Sequence, residues 1–98
     1  MDIFAPLEKG FTIYSKSGCS NCTKVKKLLL DKQTFFLDVS CDEYLLEDKE
    51  AFLLFIKERS NKEYKTFPMV FNDGKFVGGF AETQLHFDKL LCFCIDDF

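Results

Sequence analysis

Apolar positions along the chain alternate between strand-like and helix-like spacing, and the changes of period mark out its elements. FTIYSK, Phe11 to Lys16, is β-branched and aromatic and reads as a strand ending at a Ser-Gly turn. From residue 19 to about 32, Cys22, Val25, Leu28 and Leu29 recur at helical spacing, with Lys24, Lys26 and Lys27 on the other side. FFLDVS, Phe35 to Ser40, is a second strand. One helix separates the two strands, as a βαβ unit requires, so they are expected to run parallel.

A second helix lies between Asp42 and Ser60, with Phe52, Phe55, Ile56 and Arg59 along one face. Ser40-Cys41-Asp42-Glu43 offers a capping box at its start, and Asp48 offers a start nearly as good. Asn61 to Lys65 is a polar loop. Met69 to Phe71 and Lys75 to Val77 flank Asn72-Asp73-Gly74, whose Asp-Gly suits the positive φ of a tight hairpin. Gly78-Gly79 ends that strand. A last helix is expected from about Glu82 to Phe93, with Phe87, Leu90, Leu91 and Cys94 on one side. The acidic end, Asp96 to Phe98, is expected to fray. The order β-α-β-α-β-β-α implies an α/β domain, a four-stranded mixed sheet covered by helices.

A chain of 98 residues suits one domain, residues 1–98, and leaves no room for a second. The 13 Phe against no Trp give its core an aromatic bias, and a net charge of −3 is too small to predict a charged partner. The lysines are scattered, so no nucleic-acid surface is expected. No stretch approaches the ~18 apolar residues of a membrane span. MDIFAPLEKG has no basic segment leading into an apolar run, so a soluble cytoplasmic protein is expected. Thiols there stay mostly reduced, and a close cysteine pair then points to catalysis or metal rather than to a staple. Five cysteines, an odd number, also disfavour a fully paired secreted framework.

That pair is in SGCSNC, Ser17 to Cys22. At a strand-to-helix junction in a βαβ unit, Cys-x-x-Cys is a thioredoxin-like redox signal. Cys19 falls where the free N–H groups and positive dipole end of the helix favour an anion. Lys16 adds a positive charge nearby, and thiolate is the attacking species in disulfide exchange. Cys22 lies one turn in, toward the core. Cys19 therefore attacks, and Cys22 resolves the mixed disulfide. Cys22 alone also suits plain packing, whereas Cys19 sits in a Gly/Ser turn that gives it no apolar neighbours. Structural zinc needs about four ligands. Cys92-Phe93-Cys94 is too tight to supply a second pair, and His86 is the lone histidine. No metal site is expected on that pattern.

From Phe11 to about Phe93 the chain resembles the glutaredoxins of the dithiol type. Three stretches carry the resemblance: YSKSGCSNC (Tyr14 to Cys22), TFPMVF (Thr66 to Phe71) and DGKFVGGFAET (Asp73 to Thr83). The resemblance implies a thioredoxin-like fold and a glutathione-dependent thiol–disulfide oxidoreductase acting on protein–glutathione mixed disulfides and protein disulfides. It implies a cis Pro68 facing the cysteines, leaving the backbone of Phe67 free to pair with a bound peptide by strand addition. Thr66 and Phe67 would line the glutathione site. Gly78 and Gly79 allow close approach. Beyond them the N–H groups of Ala81 and Glu82 would hold the γ-glutamyl carboxylate, and Lys16 the carboxylate at the other end. Glutathione and glutathionylated or disulfide-bearing proteins would be the partners of a monomer.

The chain departs from the family pattern at named places. Ser20-Asn21 stands for Pro-Tyr, and serine there resembles glutaredoxins that share an iron–sulfur (2Fe–2S) cluster between monomers through the first cysteine and glutathione. Ala81-Glu82 stands for Ser-Asp, Tyr64-Lys65 for a stretch with Gln, and Phe67 for valine. Lys65 would offer a second cation to the glycyl carboxylate. Three alternatives stand beside the main expectation: a cluster carrier, a thioredoxin-like donor recycled by thioredoxin reductase, and a binding module with an idle pair. Cys41 follows the second strand, Cys94 fits the apolar face of the last helix, and Cys92 points elsewhere.

Overall fold

The structure, a computed structural model, describes residues 3–95, with side chains described as far as Asp88. The expectations for Leu90, Leu91, Cys92 and Cys94 and for the acidic end lie outside the described side chains. The elements are β1 (Phe11–Ser15), α1 (Ser20–Asp31), β2 (Phe36–Ser40), α2 (Asp42–Ser60), β3 (Met69–Asn72), β4 (Lys75–Gly78) and α3 (Phe80–Ile95). They form one four-stranded mixed sheet in the order β2-β1-β3-β4. β1 pairs parallel with β2, Phe11 opposite Phe36, and antiparallel with β3. The β3–β4 hairpin turns through Asp73 and Gly74, at φ 54° and 80°. Positive φ at both central residues is what a two-residue hairpin demands, and Asp-Gly supplies it at little cost.

Strand alternation divides the core into two layers. Phe11, Ile13, Val25, Leu29 and Val70 pack with Phe36, Val77, Phe80 and Phe87 on the face covered by α1 and α3. Tyr14, Val39, Cys41, Phe52, Ile56, Met69 and Phe71 pack on the α2 face. Much of the phenylalanine goes here. Phe52 is fully buried and stacks on Tyr44 and Phe67, with ring centroids 5.7 and 5.9 Å away. Arg59, placed on the apolar stripe, is exposed and lays its guanidinium 4.4 Å from the Phe55 ring.

Two helix starts differ from the sequence expectation. The capping box on Ser40 does not form: Cys41 is the N-cap of α2 and makes no side-chain capping bond. The carboxylate of Asp42, in the helix's first turn, reaches instead to Ser17. The Asp48 start is real as well. Asp48 leaves helical geometry (φ −159°, ψ 85°), and its Oδ1 accepts the Ala51 N–H at 3.0 Å, capping a second segment. α2 is thus two helices joined at a kink. α3 begins at Phe80, before the expected Glu82, because Glu82 Oε1 accepts the N–H of Gly79 at 2.7 Å. Glu82 is the third helical residue, in the first turn, and makes the back-reaching half of a capping box; it is not the first helical residue.

Phe52 joins the α2 layer to the rest of the fold. Phe52→Ala is expected to cost about 3–5 kcal/mol of unfolding free energy in chemical denaturation; a loss below about 1 kcal/mol would contradict this packing.

Candidate active site

β1 ends at Ser15 and α1 starts at Ser20, so the chain turns through residues 16–19 at the end of the sheet's one parallel pair, β1 and β2. Gly18 makes the turn at φ 73°, a left-handed conformation that glycine adopts without strain. Cys19 then stands as the N-cap of α1 in extended geometry, just outside the helix that the sequence pattern begins at residue 19. Its Sγ accepts the Cys22 N–H at 3.2 Å. That is the bond a capping serine or aspartate makes, with sulfur in the oxygen's place. A negative charge on this sulfur would meet both that donor and the positive end of the helix.

The opposite wall is the loop before β3. The Phe67–Pro68 bond is cis, and the Phe67 carbonyl lies 3.5 Å from Cys19 Sγ, within reach of the thiol proton. The Phe67 ring faces the other way, stacked on Phe52 and continuing to Tyr44. Lys16 Nζ sits 5.6 Å from the centroid of the Phe67 ring. Lys16 and Thr66 are exposed and Pro68 is buried.

The third wall is the start of α3. Gly78, at φ 133°, has no room for a side chain, since a Cβ would meet Glu82 Cβ at 2.7 Å. A Cβ on Gly79 would come 2.7 Å from the Tyr64 hydroxyl and 3.6 Å from the Pro68 carbonyl. The close approach expected at this pair is made by the protein's own side chains. Glu82 bonds Gly79 N–H, and the Tyr64 hydroxyl donates to Glu82 Oε1 at 3.4 Å. Burial pushes the Tyr64 hydroxyl up; a Thr66 hydrogen bond pulls it down and the Glu82 carboxylate pushes it up again. Ala81 is exposed beside them.

The structure therefore brings Lys16, Cys19, Cys22, Thr66, Phe67, Pro68, Gly79, Ala81 and Glu82 together at one corner, with Cys22 and Pro68 buried beneath it. Lys65 is exposed along a cleft shared with Lys57 and Glu63. It is Tyr64 that stands against Gly79. Sequence reasoning did not single out the Tyr64–Glu82 pair or Asp42. The signal for Tyr64 was its place two residues before Thr66; Asp42 gave none. His86 packs edge-on to Phe11 and pairs with Asn72, away from the cysteines.

Cys22 is nearly inaccessible at 2% exposure. Burial, and then contact with the Cys19 side chain, pushes its thiol up to about 12. Burial does the same to Cys41, also up to about 12, helped by the Asp42 charge. Cys19, Cys22 and Cys41 are all free thiols. Packing alone asks for none of this at Cys19. One half-exposed thiol is presented at a helix start, with a second held protonated behind it. Such an arrangement is that of a thiol–disulfide oxidoreductase built on a thioredoxin-like fold.

Comparisons with known proteins agree. The Glutaredoxin family model matches residues 11–77. Glutaredoxin 1 of Rickettsia felis is 34% identical over 84 residues, covering 81% of this chain and 78% of that protein. The crystal structure of glutaredoxin 1 from Francisella tularensis, complexed with cacodylate, superposes with a TM-score of 0.72 at 25% identity, over 83% of this chain and 94% of that one. A buckwheat glutaredoxin–glutathione complex gives a TM-score of 0.65 at 26% identity, over 82% and 70%. The chain belongs to the glutaredoxin family.

The raised thiols make stability depend on pH. Unfolded, Cys22 and Cys41 titrate near the ordinary ~8.5; folded, they keep their protons up to about 12. Burial holds the Tyr14 hydroxyl up as well. Their contribution is full below about pH 8.5 and is lost as pH rises toward 12. The denaturation midpoint is expected to fall between pH 9 and about 11, and less steeply in Cys41→Ala. A midpoint level across that range contradicts the assignment.

Proposed function

We propose that this protein is a glutathione-dependent reductase of protein–glutathione mixed disulfides and of protein disulfides, working in a reducing, cytoplasmic compartment as a monomer. The observation that carries the reading is the Cys22 N–H bonded to Cys19 Sγ at 3.2 Å, with the Phe67 carbonyl on the sulfur's other side. The buckwheat relative forms a complex with glutathione.

In the first step the Cys19 thiolate attacks the glutathione sulfur of a mixed disulfide. The new bond joins Cys19 Sγ to that sulfur, and the substrate leaves as a thiolate that takes up a proton. Two exits follow. A second glutathione thiolate attacks the glutathione sulfur on Cys19, releasing oxidised glutathione and restoring the thiol. Alternatively Cys22 loses its proton and attacks Cys19 Sγ, expelling glutathione and closing the Cys19–Cys22 disulfide. The buried, protonated state of Cys22 favours the first exit, because attack requires thiolate.

Glutathione would lie across the three walls. The Phe67 backbone offers strand-like pairing to its cysteine. Lys16, over the Phe67 ring, offers its charge to the glycyl carboxylate. The N–H groups of Ala81 and Glu82 offer theirs to the γ-glutamyl carboxylate. The Gly79 N–H is taken by Glu82, whose charge is then set to meet the α-amino group of the same end.

Reduction of a glutathione mixed disulfide is the direct assay. Cys19→Ser is expected to lose activity altogether, by at least about 1,000-fold, and Cys22→Ser to keep a tenth or more of it, since only the second exit needs Cys22. An active Cys19→Ser with a dead Cys22→Ser would reverse the two roles.

A further inference from the structure

The turn that delivers Cys19 has little of its own to hold it. β1 makes its last contact with the β2 side through the Cys41 N–H to the Ser15 carbonyl, 2.8 Å. Lys16, Ser17 and Gly18 are exposed, and Gly18 is a left-handed hinge. Yet Cys19 has to stand in one place for its sulfur to meet both the Cys22 N–H and the Phe67 carbonyl. What spans the gap comes from another element. Asp42 Oδ1 accepts the Ser17 N–H at 2.9 Å, and Asp42 Oδ2 accepts the Ser17 hydroxyl at 2.5 Å. Two parallel bonds to one carboxylate fix orientation as well as distance, and bonds to an ionised acceptor are the stronger kind.

We propose that Asp42 is a positioning residue for the attacking thiol, its carboxylate clamping Ser17 so that the turn delivers Cys19 to the head of α1. The inference rests on Cys19 being the attacking thiol. Three observations support it. Asp42 is at the start of α2, where an acid ordinarily serves its own helix, but this carboxylate is turned across to residue 17, 25 positions earlier in the chain. The Ser17 bonds, with Lys16 contributing, hold its carboxyl below the usual range, so it is ionised at neutral pH. And α2 reaches the site twice. Its first segment holds Ser17 through Asp42; its second, beyond the Asp48 kink, holds Phe67 through Phe52. The two walls that touch the Cys19 sulfur are both footed on α2, one on each side of its kink.

Asn at 42 keeps an oxygen for the Ser17 N–H and offers an amide to the hydroxyl, so it preserves the clamp without the charge; Ala removes both. Asp42→Ala is expected to lower kcat/KM for mixed-disulfide reduction about 10- to 100-fold, and Asp42→Asn to stay within about 3-fold of the parent. The readout that a merely structural role would not move is the Ser17 amide. By NMR its hydrogen exchange should be protected in the parent and in Asp42→Asn, and fast in Asp42→Ala. Should Asp42→Ala not fold, Ser17→Ala removes one of the two bonds and should lower the rate about 3-fold. Parent-like turnover in Asp42→Ala, equal losses in the Asn and Ala variants, full turnover in Ser17→Ala, or an unprotected Ser17 amide in the parent each overturn the proposal. An active Cys19→Ser overturns the underlying assignment instead, and leaves a different signature.

Discussion

One backbone N–H, that of Cys22, decides what this molecule can do. It is among the donors at the start of α1 that helix geometry leaves without an intrahelical partner, and it finds its acceptor in Cys19 Sγ. A capping serine would satisfy it equally well and do no chemistry. Sulfur in that position caps the helix and faces solvent, so helix stability and reactivity rest on the same contact. The βαβ unit holds that contact at the end of β1, an interior strand of the sheet. Val25 and Leu29 bury one side of α1 against Ile13 and Val70, which fixes where the first turn of the helix must lie.

The remaining walls show how a shared fold is adapted through side chains. Phe67 gives the cis-proline loop an anchor that a smaller residue would lack: its ring joins a stack running through Phe52 to Tyr44, and its upper face meets the Lys16 ammonium. At α3, Glu82 takes the Gly79 N–H and the Tyr64 hydroxyl together. That corner is built from residues that depart from the family pattern at three places, Tyr64, Ala81 and Glu82. The Gly79 N–H, the Glu82 carboxylate and the Tyr64 hydroxyl are already engaged with one another, so a ligand meeting those three groups exchanges contacts.

Much of this was legible in the sequence, and the divisions follow the range of the interactions. β1, α1, β2 and the Asp73-Gly74 hairpin are governed by local periodicity and turn chemistry, and all appear where the pattern places them. The cysteine pair stands out by its spacing at a strand-to-helix junction, and the Phe67–Pro68 and Gly78–Gly79 stretches by an order that resembles the family's. What escaped is tertiary. Ser40 looked like a cap because local sequence cannot show that the Cys41 N–H goes to Ser15 or that Asp42 goes to Ser17. The two candidate starts of α2 competed on paper because both are used, one on each side of the kink. The apolar spacing of the last helix does not show its true start at Phe80, where the Glu82 side chain reaches back to Gly79.

The central claim is that Cys19, and not Cys22 or Cys41, forms the covalent link to glutathione. The most direct measurement is to expose the folded Cys22→Ser protein to oxidised glutathione at neutral pH, digest it without reductant, and locate the adduct by mass spectrometry. The account predicts glutathione on Cys19, with Cys41 unmodified behind its buried wall. An adduct on Cys41, or none on Cys19, would contradict it.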